Sequence, residues 1–256
     1  TAIGREPALR GHRVVMVDQP LHGTEKFVPK AYQAQDLRAL ATEPSPVAAL
    51  TLDDFERRVT GAVRRAARLG GPVVLVGHSM GGLSVSRVAD AVPRLLAHIC
   101  YMAAFCPSRS MPSLNDCADS PEGRQAITPL DQLVGDPAKL GVLRLNWRTY
   151  GRRDLAVFRE MICADHSDQG FLRVLEGMQT DETMTAYGDR AVGRAGTWGG
   201  FRGRICGWAG PDRRHCSPGP HDRGGRRAHP GQPLHGARLP RGRPPGPRGS
   251  HPGDRR

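Results

Sequence analysis

Residues 72–82 read Pro-Val-Val-Leu-Val-Gly-His-Ser-Met-Gly-Gly. The apolar run Val73 to Val76 predicts a strand covered on both faces. From Gly81 onward Leu83, Val85, Val88 and Ala89 recur at helical spacing. A chain that leaves a strand and enters a helix at once must turn at a single residue. That residue takes a strained backbone conformation, and it needs small neighbours two positions to either side so that strand and helix can approach. Gly77 and Gly81 occupy those two positions around Ser79, and Gly82 eases close packing of the helix. The pattern predicts a Ser79 hydroxyl standing free at the C-terminal edge of a sheet, at a helix N-terminus. It also aims the backbone N–H of Met80 at the place where an oxyanion would form. The stretch lacks the lysine and the longer spacing of a phosphate-binding loop.

Upstream, Gly11-His-Arg-Val-Val-Met-Val17 predicts a buried strand, and Asp18-Gln-Pro-Leu-His-Gly23 the loop after it. Residues 24–50 are polar and proline-bearing, with one short helix expected near 31–40. Thr51 fits a helix N-cap followed by Asp53 and Asp54 in the first turn. Phe55, Val59, Ala62, Val63, Ala66 and Leu69 then form one helical face, and Gly70-Gly71 ends it. A further apolar run lies at 98–105, with Ile-Cys-Tyr-Met-Ala-Ala-Phe at its centre. The order strand, helix, strand, helix, strand predicts an α/β fold: a parallel sheet with helices on both faces. Residues 107–190 carry helical patterns, clearest at 128–143, 154–163 and 168–178. The expected organisation is an α/β core over 1–106, a helical cap over 107–190 and a distinct tail over 191–256.

The tail is set apart by composition. The last 60 residues hold 13 Arg, 3 Asp, 14 Gly and 10 Pro, with no Lys or Glu. Their net charge of +10 accounts for nearly all of the chain's +12. Only Phe201, Ile205, Leu234 and Leu239 represent the larger aliphatics and Phe there, too little apolar surface to offset ordering entropy. The expectation is a disordered segment or the product of a shifted reading frame in a GC-rich gene. An arginine-rich tail can bind RNA. Here only Phe201 and Trp208 could stack on bases, both at its start, so nucleic acid is not the expected partner. The six cysteines (100, 106, 117, 163, 206 and 216) show no Cys-x-x-Cys pair, which points to free thiols in a reducing, cytoplasmic compartment. No run of about 18 apolar residues predicts a membrane span.

The segments Gly-His-Arg-Val-Val-Met-Val-Asp-Gln-Pro-Leu-His-Gly (11–23) and Pro-Val-Val-Leu-Val-Gly-His-Ser-Met-Gly-Gly-Leu-Ser-Val-Ser-Arg-Val-Ala-Asp (72–90) resemble the α/β-hydrolase fold superfamily. Residues 81–113 are most similar to its small esterase group, which includes plant methylesterases and hydroxynitrile lyases. The resemblance covers roughly residues 10–196. It implies Ser79 as nucleophile, the Met80 N–H as an oxyanion donor and 107–190 as a cap over the pocket. It implies no cofactor and no metal. A serine rather than an aspartate at the apex excludes the dehalogenase branch. The family's earlier strand, whose loop gives a second oxyanion donor, would lie upstream of Thr1. Its acid and base follow the nucleophile in the order Ser, Asp, His. Asp212 and His235 hold the corresponding places, Asp212 behind Arg204–Trp208, a poor strand by composition, and His235 with no strand pattern before it.

Other polar residues are given plainer readings. His78 adjoins Ser79, but adjacent strand residues face opposite ways, so a packing or loop role is expected. His22 is expected to be a solvated turn residue. Asp165-His166-Ser167-Asp168 reads as an N-cap cluster rather than a metal site. The functional expectation is a serine carboxylesterase acting on a small ester. A non-catalytic binding module on the same scaffold, or a lyase or thioesterase of the same fold, is the alternative.

Overall fold

A computed structural model describes residues 2–121, 123–125, 132–148, 155–156, 158–159, 163–192 and the backbone of 204–208. These fall within one unit, Thr1–Gly219. The chain opens with helix α1 (Ala2–Leu9) and runs without regular secondary structure through 12–19. Two short helices, α2 (Lys30–Ala34) and α3 (Leu37–Leu40), replace the single one expected there. Gln35 separates them in a left-handed conformation (φ 54°), and Asp36 caps the second by accepting from the Ala39 N–H. Helix α4 (Leu52–Arg68) starts where Thr51 predicted. The Asp54 carboxylate accepts from both the backbone N–H and the hydroxyl of Thr51, at 3.0 and 2.8 Å.

Strand β1 (Val73–Ser79), helix α5 (Gly81–Ala91) and strand β2 (Leu96–Ala104) follow in the anticipated order. β1 pairs parallel with β2, whose other edge pairs parallel with β5 (Arg204–Trp208). The segment 204–208, unpromising by composition, is therefore a strand of the main sheet; the ladder with β2 overrides its weak intrinsic pattern. Val73 and Leu75 pack with Ile99 and Tyr101 of β2 against Val59 and Val63 of α4 and Val85, Val88 and Ala89 of α5. This is the principal core, and it holds α4 and α5 to one face of the sheet.

The segment 12–17 departs from expectation. No strand forms there: no described residue shares a ladder with it, and Val15 and Met16 are 58% and 57% exposed. An apolar run becomes a strand only where a neighbour supplies its backbone partners. Arg13 donates to the carbonyls of Leu69 and Gly70 at the end of α4, while Val14 and Met16 pack beside Gly4 of α1.

Beyond the sheet the chain forms helix α6 (Leu114–Ala118), helix α7 (Pro137–Leu140), strand β3 (Val142–Arg144), helix α8 (Asp168–Gly177), strand β4 (Asp181–Thr183) and helix α9 (Met184–Gly188). The helix expected over 128–143 is not continuous. Its described part holds only α7, capped by Asp136 and ended by a left-handed Gly141 (φ 69°), before β3 begins. Helix α8 matches the third helical pattern, and most of 154–163 lies outside the described residues. β3 and β4 form an antiparallel hairpin.

A fully buried ion pair anchors that hairpin. Arg144 donates to both oxygens of Asp181, at 2.8 and 2.6 Å, and both side chains are 0% exposed. The guanidinium also donates to the carbonyls of Leu40 and Glu43, each at 2.7 Å, which ties β3 to the end of α3. A planar five-donor fork suits this arrangement and an ammonium would not. Removing one partner leaves an uncompensated buried charge. Asp181→Ala is therefore expected to destabilise the protein by about 3–5 kcal/mol in urea unfolding. The joint change Arg144→Met with Asp181→Leu should cost less than that, without returning to wild type, because two carbonyls lose their donor.

Candidate active site

Ser79 is the last residue of β1 and has φ 53°, a left-handed conformation that a residue with a Cβ rarely adopts. Met80 returns at once to right-handed helical angles (φ −58°, ψ −22°), and α5 begins at Gly81. The turn predicted at a single residue is thus where the sequence placed it. The Ser79 side chain is exposed. Its hydroxyl and the N–H of Met80 make no hydrogen bond among the described residues, so both are available to a ligand.

Opposite the turn, β2 carries one extra residue. His78 pairs with Met102 and Ser79 with Ala104, which leaves Ala103 bulged at φ 43°. The bulge brings Phe105 alongside, where its N–H donates to the Ser79 carbonyl at 3.1 Å. The Phe105 carbonyl then presses on Gly82, where a Cβ would collide with it. At Gly77 a Cβ would lie 2.6 Å from Val85 Cγ2 and 2.7 Å from the Gly81 carbonyl oxygen. Gly81 itself has open space at its Cβ position. The glycines are thus required at 77 and 82 by contact, whereas at 81 it is the backbone that makes the contact.

The Met80 side chain joins a second cluster with Leu52 and Phe55 of α4, Leu83 of α5, Leu114 of α6 and Ala186 of α9. This cluster packs the insertion against the turn. Ser84, a little further along α5, accepts from the Gln19 amide at 2.8 Å. The loop after segment 12–17 is thereby fixed beside the helix start. A surface depression lined by Lys30, Ala31, Asp36 and Glu43 includes none of the elbow residues.

The other candidates are placed as follows. His78 is exposed. His22 is not a solvated turn residue: its side chain is 15% exposed and lies edge-on to Phe55, with ring centroids 5.7 Å apart. Its Nδ1 lies 2.7 Å from the Pro20 carbonyl oxygen and its Nε2 3.1 Å from Glu182 Oε2. With both ring nitrogens engaged, His22 has none left to take a proton from Ser79. The composition of the loop gave no sign of Glu182, which comes from β4, 160 residues away. Ser167 caps α8 by accepting from the Gly170 N–H, as read from the sequence, and His166 pairs with the neighbouring Asp165. No group of three or more His, Cys, Asp or Glu among the described residues could hold a metal ion. Asp212 and His235 lie outside the described residues, though β5 ends four residues before Asp212.

The strand–serine–helix turn on a parallel sheet defines the α/β-hydrolase architecture, and comparison with known proteins agrees. A model of the alpha/beta hydrolase family matches residues 5–235, and the chain belongs to that family. It is similar to Esterase PIR7B of Oryza sativa subsp. japonica, 37% identical over 75 residues, which span 29% of this chain and 28% of that protein. It is also similar to Methylesterase 7 of Arabidopsis thaliana, 52% identical over 40 residues, or 16% of this chain and 15% of that one. The matched stretches thus span less than a third of these relatives. A crystal structure of polyneuridine aldehyde esterase shares the fold, with a TM-score of 0.51 and 14% identity over 80% of this chain and 72% of that one. Both of these sequence relatives are named as esterases. No described helix is long and apolar enough to cross a membrane.

Three substitutions separate the roles of strain and contact. Ser79→Gly relieves the left-handed residue, so it should be more stable than Ser79→Ala by about 0.5–1 kcal/mol, after the extra chain entropy of glycine is deducted. Gly82→Ala should destabilise by about 1–3 kcal/mol through the Phe105 carbonyl. Thermal unfolding of the three variants gives both differences.

Proposed function

We propose that the protein is a serine carboxylesterase acting on a small-molecule ester, with Ser79 as nucleophile. The observation that carries this reading is the exposed Ser79 hydroxyl on a left-handed residue between strand and helix. Attack on an ester carbonyl puts negative charge on its oxygen. The Met80 N–H, at the positive end of α5, is disposed to donate a hydrogen bond to that oxyanion. A serine hydroxyl is a weak nucleophile until a base takes its proton. Asp212 is assigned as the acid and His235 as the base. The reading is supported by the parallel strand β5, which ends shortly before Asp212, and by the Ser, Asp, His order. His235 would take the Ser79 proton on attack and return it to the leaving alcohol, while Asp212 steadies the imidazolium.

In the same reading, residues 1–106 form the core and 107–190 the cap that lines the substrate pocket. The esterase relatives support an ester substrate. The chemistry needs no metal or cofactor. Cys100, Cys106, Cys117 and Cys163 form no disulfide among the described residues, which suits a reducing, cytoplasmic setting.

A fluorophosphonate probe should label the wild-type protein on Ser79, and Ser79→Ala should abolish both labelling and ester turnover. Asp212→Asn and His235→Gln should each slow labelling by about a thousandfold or more. Wild-type labelling rates in those two variants would remove them from the mechanism, and a wild type that is never labelled would make the chain a non-catalytic scaffold.

A further inference from the structure

β4 is only three residues long, yet it is tied on both faces. Asp181 points inward to the buried Arg144. Glu182, next along the strand and so facing the other way, meets His22 on the loop that follows segment 12–17. Thr183 turns back to donate to the Leu50 carbonyl at 2.7 Å. Two further bonds join the same loop to this region: the Gln179 amide donates to the Leu21 carbonyl at 3.1 Å, and Lys26 Nζ donates to the Glu176 carbonyl at 2.9 Å.

The two partners of the His22 ring decide its protonation. A carbonyl oxygen can only accept, so Nδ1 must carry a hydrogen toward Pro20. A carboxylate can also only accept, so Nε2 must carry one toward Glu182. Both bonds therefore exist together only while the ring is a cation. When that proton leaves, a bare Nε2 lone pair faces a carboxylate oxygen across 3.1 Å. The Arg144–Asp181 tie has no such weakness, because guanidinium keeps its charge at any physiological pH.

We propose that His22 and Glu182 form a protonation-dependent latch that fastens the β3–β4 hairpin to loop 18–26, and that the hairpin loosens locally as pH rises while its Arg144 anchor holds.

The surroundings support the sign. Burial lowers the His22 pKa, but the hydrogen bond and charge of Glu182, the Pro20 carbonyl and the charge of Asp18 together raise it above 6.5. From α4 the ring meets Phe55, which is uncharged, and Arg58 is engaged by Glu25. From α9, Tyr187 stays neutral, its pKa raised by burial and by Glu182. A histidine whose folded pKa is raised gives stability that is complete below the unfolded value and lost as pH climbs through the folded one. The latch is thus fully closed below about pH 6.5 and opens as pH rises through the higher folded value.

The test is independent of catalysis. Amide hydrogen exchange over 141–146 and 179–184, corrected for intrinsic chemical rates, is compared at pH 6.0 and 8.5. Protection in the wild type should be several-fold greater at pH 6.0, and the difference should vanish in Glu182→Gln and in His22→Gln. Equal protection at both pH values in the wild type, or a pH effect that survives in either variant, would overturn the latch. NMR titration of the His22 ring gives a second reading that does not need the variants to fold. A wild-type pKa above 6.5 supports the latch, and one at or below 6.5 refutes it.

Discussion

A single left-handed residue sets the terms for the core of this protein. Ser79 lies between a strand and a helix that meet without a linker, and that meeting is sterically affordable only because residues 77 and 82 lack a Cβ. The cost of the strain, of order 1–2 kcal/mol, is offset by packing on either side. Val73 and Leu75 before the turn and Val85 and Val88 after it enter one apolar cluster. β2 adapts as well, with its bulge at Ala103 and its Phe105 N–H bonded to the Ser79 carbonyl. Strain held by a surrounding structure that over-determines it is characteristic of functional sites. Here it leaves a hydroxyl and an N–H side by side, with neither engaged in folding.

The insertion is fastened to this core by polar as well as apolar means. The cluster of Leu52, Phe55, Met80, Leu83, Leu114 and Ala186 draws together α4, the turn, α6 and α9. Arg144 and Asp181 hold the hairpin at the end of α3 from a site closed to water. Leu52, at the start of α4, donates its N–H to Asp189 just past α9, and Arg87 of α5 reaches Glu56, Asp53 and the Arg190 carbonyl. The turn and the insertion therefore share side chains.

What could be read from the sequence follows the range of the forces involved. The turn at Ser79, the cap at Thr51 and the face of α4 depend on residues within a few positions of one another, and all three appear where local pattern put them. The strand at 204–208 was underrated, as a poor strand by composition, because its formation rests on a ladder with β2, about a hundred residues away. Burial of 12–17 was overread for the converse reason: an apolar alternation says how a chain would sit in a sheet but not that a neighbour is there. The helix over 128–143 was overread too, since its spacing ignores the left-handed Gly135 (φ 81°) and the bridge of Leu133 to Leu145, which interrupt it before α7. His22 took its character from Glu182, a partner no short-range signal could disclose. Of the candidate site, the exposed Ser79 and the neighbouring Met80 N–H were legible, because one turn carries both. Asp212 and His235, the proposed acid and base, were singled out only by order along the chain.

The central claim is that the strained serine forms a covalent bond to substrate. Quenching the protein with acid during turnover of a slowly deacylated p-nitrophenyl ester, then mapping peptides by mass spectrometry, tests it most directly. The account predicts a single acyl adduct on the peptide containing Ser79, appearing in step with a burst of p-nitrophenol. Turnover without any adduct, or an adduct on another residue, would contradict it.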